Sequence, residues 1–197
     1  MKGGRFLTAI LPGLMMTAPV HATGPQAGNA VEAVTAIIEI PAGSNVKYER
    51  DAEGRIFVDR FLSMPVTYPA NYGSIAGTLA GDGDPLDIVV YSRVPIIAGA
   101  RIRVRPIGIL RMSDNGDEDQ KIIAVPVTKV DPDYDRIKSI MDLQDGTGER
   151  LAAFFRVYKQ NADGNSPIAL SGFGGADEAK AALRASFRAH EPSDISP

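Results

Sequence analysis

The sequence predicts a mainly β, α+β-like fold, in which a small barrel or sandwich of short strands is followed by two packed helices. Short segments rich in β-branched and apolar residues recur between Val31 and Val127, and turn-forming glycine, aspartate and proline residues separate them. After Asp131 the apolar residues take the three-to-four-residue spacing of amphipathic helices. The chain of 197 residues shows no internal repeat and no low-complexity linker, which indicates one domain with a substantial core.

The strand pattern begins at the N-terminal end of this domain. Val31–Ile40 is rich in β-branched residues and predicts a first strand. Residues 47–61 predict two short strands joined by a turn at Asp51–Gly54. Runs of apolar residues, or apolar residues alternating with charged ones, predict further strands over 86–92, 101–112 and 121–127.

Two segments between these strands are interpreted as loops. Residues 65–75, "PVTYPANYGSI", contain two prolines and a glycine, which is typical of an ordered loop and not of a strand interior. Residues 113–119, "SDNGDED", are strongly acidic and connect the last two predicted strands. The sequence therefore predicts that both segments carry side chains at the rim of the barrel.

Two helices are predicted in the C-terminal part. The first lies within 149–160 and places apolar side chains at i, i+3, i+4 and i+7, which is one stripe of a helix. These residues are Leu151, Phe154, Phe155 and Tyr158. The second lies within 176–190, an alanine-rich segment, and its predicted buried face comprises Ala182, Leu183 and Phe187.

The first 22 residues have the order of a secretory signal peptide. Lys2 and Arg5 precede an apolar run over residues 6–20, which is shorter than the ~20 residues of a membrane-spanning helix, and small residues lie at Val20 and Ala22. A disordered or helical extension of a cytoplasmic enzyme is the alternative. The prediction is removal of 1–22 and a periplasmic or secreted protein that has no membrane segment afterwards.

The remaining organisation follows from this prediction. Residues 23–30 are expected to form a flexible lead-in, residues 31–190 the barrel domain, and residues 191–197 a disordered tail. The formal net charge of −3 argues against a general nucleic-acid binder, which usually has a strong basic excess. Because the chain has no cysteine, disulfides, thiolate metal sites and cysteine nucleophiles are excluded.

Two acidic clusters stand at the rims of predicted strands. Asp82, Asp84 and Asp87 lie in "GDGDPLDIVV", and a second cluster comprises Asp114, Asp117, Glu118 and Asp119. Oxygen ligands of this kind suit the hard cations Mg²⁺, Ca²⁺ and Mn²⁺. An EF-hand is excluded, because Asp87 occupies the position where that loop needs glycine. A solvated turn is favoured for the second cluster alone, whereas Asp87 opens an apolar strand and so needs a partner for its charge.

Cations and hydroxyls for phosphate oxygens would complete a phosphoryl-transfer site. The sequence offers Lys47, Arg60, Tyr68, Tyr72, Lys121, Tyr158 and Lys159. Each residue taken singly also fits a structural role. Lys47 and Arg60 could be solvated strand residues, Tyr72 could anchor a loop, and Tyr158 closes the apolar stripe of its helix. Spacing alone leaves both interpretations open.

The motif "DGDPLDI" resembles the signature of family I soluble inorganic pyrophosphatases, and the likeness is greatest to the compact bacterial type. The segments "IEIP", "KYE", "FVDRF", "YPANYG", "GDEDQKIIAVP" and "ADEAKAALRASF" agree with that family in the same order, so that the resemblance spans about Val34 to Ala189. It implies a five-stranded, OB-like β-barrel with flanking C-terminal helices. It also implies hydrolysis of inorganic pyrophosphate to two phosphates by a metal-activated water, with several Mg²⁺ ions. Mn²⁺ is an alternative metal, since both ions accept carboxylate and water ligands.

The resemblance also implies roles for individual residues. Asp84 would be the general base. The metal ligands would be Asp82, Asp87, Asp114 and Asp119, and the groups that bind substrate would be Lys47, Arg60, Tyr72, Lys121, Tyr158 and Lys159. Glu39, Glu49 and Tyr68 would lie in an outer shell around the site.

The chain departs from the family at a few positions. Ser74 stands where relatives often have an aromatic or other large residue, and Phe173 where many carry tryptophan. The signal-like N-terminus contrasts with a family that is normally cytoplasmic. The resemblance implies a homohexamer.

Two other functions stay open at this stage. One is a hydrolase of another phosphoanhydride, a nucleotide or polyphosphate, on the same scaffold. The other is a non-enzymatic OB-like module that binds a divalent ion or an anion, although such a module would have no need for Asp84 and Lys121 together.

Overall fold

The computed structural model describes residues 31–161 and 163–190. The predicted signal peptide, lead-in and C-terminal tail lie outside the described residues. Within them the strands are β1 Val34–Ile40, β2 Val46–Arg50, β3 Ile56–Phe61, β4 Asn71–Ile75, β5 Asp87–Val90, β6 Arg101–Asp114, β7 Asp117–Glu118, β8 Lys121–Pro126 and β9 Ile168–Gly175. The helices are α1 Thr147–Val157 and α2 Ala176–His190. Neither of these helices is long and apolar enough to span a membrane.

Five strands close into a ring. The hydrogen-bonded order is β1–β4–β5–β8–β6, and β6 pairs back with β1. Only the β5–β8 pairing within this ring is parallel. The short β7 and the longer β9 extend the sheet from β6, while β2 and β3 form a separate two-stranded hairpin. The five-stranded barrel implied by the family resemblance is confirmed.

The strands of the barrel bury side chains on both faces. Along β8, Ile122 and Ala124 belong to one core cluster, whereas Ile123 and Val125 belong to another. Helix α2 joins the first cluster through Ala179 and Leu183. The predicted stripe of α1 joins the second, and all four of its side chains are buried. Burial on both faces explains the continuous apolar runs of β5 and β8.

The prediction of a loop over residues 65–75 is wrong in its last part, because Asn71–Ile75 forms β4. This strand pairs with β1 on one side and β5 on the other, and both prolines lie ahead of it. Gly73 is required by a close approach, since a Cβ atom there would come within 1.9 Å of the carbonyl oxygen of Ile37. The glycine that indicated a loop is therefore the residue that lets two strands pack closely.

Two further elements differ from the sequence prediction. The segment 113–119 is mainly a tight hairpin between β6 and β7, with Asn115 and Gly116 at φ of 51° and 95°. Asn-Gly is the preferred pair for such a turn, so a sequence signal for it existed. Strand β9 was not predicted; it is glycine-rich and is formed by pairing with β6 along residues 108–114.

Asn71 holds the beginning of β4 in place. Its side-chain oxygen accepts hydrogen bonds from the backbone N–H groups of Ala42 (3.2 Å) and Ile96 (2.7 Å). Its amide group donates to the carbonyl of Val90 (3.1 Å) and the hydroxyl of Ser92 (2.8 Å). The side chain is buried and uses both its oxygen and its amide group, which fixes the strand that carries the neighbouring Tyr72.

Candidate active site

One cavity of about 340 Å³ collects thirteen of the fourteen predicted site residues. They are Glu39, Lys47, Glu49, Tyr68, Tyr72, Asp82, Asp84, Asp87, Asp114, Asp119, Lys121, Tyr158 and Lys159. Counted over the whole lining, nine carboxylates face three lysines and four tyrosines. The two acidic clusters, separate in sequence, therefore meet in one place.

The first acidic cluster lies on a compact turn before β5. Gly83 adopts a φ of 91°, a left-handed conformation that favours glycine, and the carboxylate of Asp82 accepts a hydrogen bond from the N–H of Asp84 at 3.0 Å. The hydroxyl of Thr78 closes the base of this loop by accepting from the N–H of Leu86 at 2.9 Å. The loop thus exposes Asp82 and Asp84 while Asp87 begins the buried strand.

The second cluster is organised by the β6–β7 hairpin. Asp114 ends β6, and its carboxylate pairs with the ammonium group of Lys159, which follows α1. The ammonium group of Lys159 also lies 5.5 Å from the centre of the Tyr158 ring. The hairpin and the end of α1 therefore bring a carboxylate and a cation together at the cavity.

Lys121 is the most buried charge of the site. Its side chain is 2% exposed at the start of β8, and its ammonium group pairs with the carboxylates of Asp87 and Asp119. The same ammonium group lies 5.7 Å from the centre of the Tyr72 ring. The parallel pairing of β5 with β8 places Asp87 and Lys121 side by side, because both residues open their strands.

The ionisation of this group reflects its burial. Burial raises the pKa of Asp87, and the ammonium group of Lys121 only partly reverses that effect. Burial lowers the pKa of Lys121, but the charges of Asp87 and Asp119 outweigh it, so the pKa of Lys121 is raised overall. Lys121 consequently remains a cation in the site.

Tyrosines line the wall of the cavity on the α1 side. Tyr68 and Tyr158 both pack against Phe154 of α1, with ring centres 4.7 Å and 5.3 Å from it. Burial raises the pKa of Tyr68, Tyr72 and Tyr158 well above the ordinary value. Nearby carboxylates, above all Asp87 beside Tyr72, raise the pKa further, whereas the charge of Arg60 partly lowers that of Tyr68. Their hydroxyls therefore stay protonated and are available as hydrogen-bond donors at neutral pH.

The β2–β3 hairpin contributes cations at the edge of the site. The ammonium group of Lys47 lies in the cavity, where it pairs with Glu49 and lies 3.2 Å from the carboxylate of Asp59. The structure does not bring Arg60 to the cavity; its half-exposed guanidinium group donates to Asp59 at 2.8 Å. A role for Arg60 in substrate binding stays a prediction.

The acidic side chains of the cavity are all carboxylates, whose oxygen atoms suit a hard cation such as Mg²⁺. In the parts of the chain that the structure describes, no three Asp, Glu, His or Cys side chains converge as a preassembled metal cage. Lys121 and Lys159 instead pair with Asp87, Asp119 and Asp114. A cation would therefore share these carboxylates with the lysines.

Comparison with known proteins identifies this arrangement. Residues 36–191 match the family model described as inorganic pyrophosphatase. The chain belongs to the inorganic pyrophosphatase family. It is 49% identical over 153 residues to the inorganic pyrophosphatase of Sulfolobus acidocaldarius, across 77% of this chain and 88% of that protein. It is 46% identical over 157 residues to that of Xanthomonas axonopodis pv. citri, across 79% and 88%.

Solved structures of this family share the fold. The inorganic phosphatase from Anaplasma phagocytophilum superimposes with a TM-score of 0.78 at 41% identity, covering 84% of this chain and 97% of that one. The inorganic pyrophosphatase from Helicobacter pylori gives a TM-score of 0.78 at 37% identity, covering 82% and 95%. The family resemblance seen in the sequence is thus confirmed over nearly all of the described residues.

Sequence reasoning missed three residues at or beside the cavity. Tyr48 and Asn115 line it, and Asp59 holds the cationic groups of both Lys47 and Arg60. Tyr48 alternates with Lys47 and Glu49 on β2, but its contribution to the cavity depends on how the hairpin folds over the barrel. The Asn-Gly pair could have indicated a turn that places Asn115 beside the acidic cluster. For Asp59 the sequence offered no signal beyond its position in "FVDRF".

Proposed function

We propose that this member of the family hydrolyses inorganic pyrophosphate to two phosphates in the cavity, with Mg²⁺ as the cofactor and Asp84 as the general base. The reaction itself follows from membership of the inorganic pyrophosphatase family. The observation that carries the assignment to this cavity is the meeting of both aspartate clusters with three lysines and the buried tyrosines. Carboxylates for cations and cationic groups for phosphate oxygens are the two halves of such a site.

Asp82, Asp87, Asp114 and Asp119 are the proposed ligands. When bound to them, Mg²⁺ would supply positive charge that offsets the charge of pyrophosphate and would lower the pKa of a water molecule. Mn²⁺ accepts the same carboxylate and water ligands and is a proposed substitute. The shared pairing with Lys121 and Lys159 means that these lysines and a cation would compete for the same carboxylate oxygens.

Asp84 is suited to removing a proton from water. Among the three aspartates of the first cluster, Asp87 is tied to Lys121, and Asp82 accepts the N–H of Asp84. The Asp84 carboxylate is exposed in the cavity and pairs with no cation among the residues that the structure describes. An unpaired carboxylate keeps its lone pairs free to accept a proton.

The remaining groups are proposed to bind and orient pyrophosphate. Lys47, Lys121 and Lys159 provide point charges, and the protonated hydroxyls of Tyr72 and Tyr158 provide neutral donors. Glu39, Glu49 and Tyr68 line the same cavity and are proposed to hold water around the cations. Arg60 is proposed to act from the edge of the site once released from Asp59.

Phosphate release tests the proposal directly. The purified protein is assayed with pyrophosphate, ATP and polyphosphate, each with Mg²⁺ and with EDTA. We expect rapid release from pyrophosphate with Mg²⁺, none with EDTA, and little release from the other two substrates. Comparable release from ATP or polyphosphate would favour the broader phosphoanhydride hydrolase, and no Mg²⁺-dependent release from pyrophosphate would refute the proposal.

We also propose that the protein is exported after removal of residues 1–22. The support is the order of positive residues, apolar run and small residues in the sequence. Sequencing the N-terminus of the native protein is expected to begin at Thr23, whereas a first residue of Met1 would contradict export and leave a cytoplasmic enzyme. The homohexamer implied by the family resemblance stays a prediction, for which sedimentation velocity gives the mass.

A further inference from the structure

Glu39 reaches the cavity because β1 contains a bulge. On β1, Ile38 pairs with Gly73 and Ile40 pairs with Tyr72, so that Glu39 is an extra residue without a partner on β4. Ile38 and Ile40 consequently lie in different core clusters, although regular alternation would place them on the same face. Bulges commonly redirect a side chain beside an active site, and this one directs a carboxylate into the cavity.

Two polar side chains from different strands lie close to the same oxygen of the Glu39 carboxylate. The hydroxyl of Ser74 on β4 donates to Oε1 of Glu39 at 2.6 Å, and both residues are buried. The Nε atom of Arg50 on β2 lies 3.6 Å from the same Oε1. Within the described residues, no hydrogen bond is made to Oε2 of Glu39. The Glu39 carboxylate, which lines the cavity, therefore has one oxygen that accepts no hydrogen bond from the described residues.

Arg50 forms its only ion pair within the described residues with Glu39. Its Nε atom is buried and has no hydrogen-bond partner among the described residues. At 3.6 Å this atom lies just beyond hydrogen-bond distance of Oε1 of Glu39, so the two side chains interact through their opposite charges. Among the described residues, the guanidinium charge of Arg50 is therefore directed at Glu39 and at no other acid.

The groups around Glu39 have opposite effects on the pKa of its carboxyl group. Burial raises its pKa, and Asp87 and Glu49 raise it further, whereas the hydrogen bond from Ser74 and the charge of Arg50 lower it. The neighbours on the cavity side therefore oppose a charged Glu39, and the two residues behind it favour one.

From this geometry we propose that Ser74 and Arg50 are positioning residues, which hold the Glu39 carboxylate so that Oε2 faces the hydration shell of a divalent cation in the cavity. This role explains why a serine stands at position 74, where relatives often carry a larger residue. Its hydroxyl donates to Oε1 of Glu39. The inference deepens the proposed function and rests on it, since a cation must enter the cavity.

The test measures Mg²⁺ binding by titration calorimetry in the absence of pyrophosphate. Ser74→Ala is expected to weaken Mg²⁺ binding about tenfold, as loss of an outer-shell partner commonly does. Ser74→Thr, which keeps the hydroxyl, is expected to restore most of the affinity. Arg50→Met is expected to weaken binding in the same direction, and Arg50→Lys, which keeps the charge, to weaken it less.

A double variant separates positioning from general structure. If Ser74 acts through Glu39, then Ser74→Ala added to Glu39→Gln causes no further loss of Mg²⁺ affinity. An equal loss in both backgrounds would overturn the inference, as would unchanged affinity in Ser74→Ala. A lower unfolding midpoint of Arg50→Met with unchanged affinity would assign Arg50 to structure and overturn its part.

The same measurements distinguish this inference from the proposed function. A protein that binds Mg²⁺ with the expected dependence on Ser74 and yet releases no phosphate from pyrophosphate would refute the proposed function alone. Hydrolysis with Mg²⁺ affinity insensitive to Ser74 and Arg50 would refute the positioning role alone. Absence of Mg²⁺ binding by the unaltered protein would overturn both.

Discussion

Asp84→Asn is expected to lower the turnover of pyrophosphate by about 10²–10⁴-fold, because an amide cannot accept the proton of the attacking water. Asp84 is exposed in the cavity and pairs with no lysine or arginine among the described residues. The substitution therefore removes no ion pair that stabilises the fold. Mg²⁺ binding and the unfolding midpoint should therefore change little. Steady-state phosphate release at saturating Mg²⁺ gives the turnover.

Asp117→Asn is the matched control for this experiment. Asp117 is another exposed aspartate of the same cavity; it opens β7 and is a member of the second cluster that is not a proposed metal ligand. Its substitution lowers the local negative charge by the same amount but removes no proposed base, so turnover should stay within a few-fold of the unaltered protein. Equal losses in the two variants would indicate a charge effect, and unchanged turnover in Asp84→Asn would reject the role of general base.

Local patterns in the sequence predicted most of the barrel, because the patterns reflect which faces are buried. The apolar runs of β5 and β8, the turn at Asp51–Gly54 and the stripe of α1 all agree with the structure. Strands β4 and β9 were missed because glycine weakens the strand pattern, and both depend on partners distant in sequence. Gly73 is needed by the approach of β1, and β9 forms along β6.

The convergence of the candidate site could be predicted where its residues lie in contiguous motifs. Asp82, Asp84 and Asp87 lie within six residues of one another, and the family resemblance added the lysines and tyrosines that the fold then brings to the same cavity. What the sequence could not show depends on strand register. The bulge that redirects Glu39, and the convergence of Ser74 and Arg50 on one of its oxygens, arise from pairings between β1 and β4 and from contact with β2.

The second large effect concerns the buried ammonium group of Lys121. Lys121→Met is expected to lower the free energy of unfolding in EDTA by about 3–5 kcal/mol, since it removes the partner of two carboxylates that stay in the site. Asp87 and Asp119 would then repel each other near the start of β5 and β8. Urea unfolding measures the change.

Mg²⁺ should recover part of this loss, because a cation that binds only the folded state stabilises it by an amount that grows with the ratio of its concentration to its dissociation constant. The stabilisation on adding Mg²⁺ should be larger for Lys121→Met than for the unaltered protein, in which Lys121 already neutralises Asp87 and Asp119.

Lys180→Met is the control; Lys180 pairs with the exposed Glu32 at 2.7 Å, and its loss should cost about 1 kcal/mol or less. If Lys121→Met unfolds in EDTA at the same urea concentration as Lys180→Met, then Lys121 does not stabilise the fold by neutralising Asp87 and Asp119. If Mg²⁺ stabilises Lys121→Met no more than the unaltered protein, cations do not bind at Asp87 and Asp119.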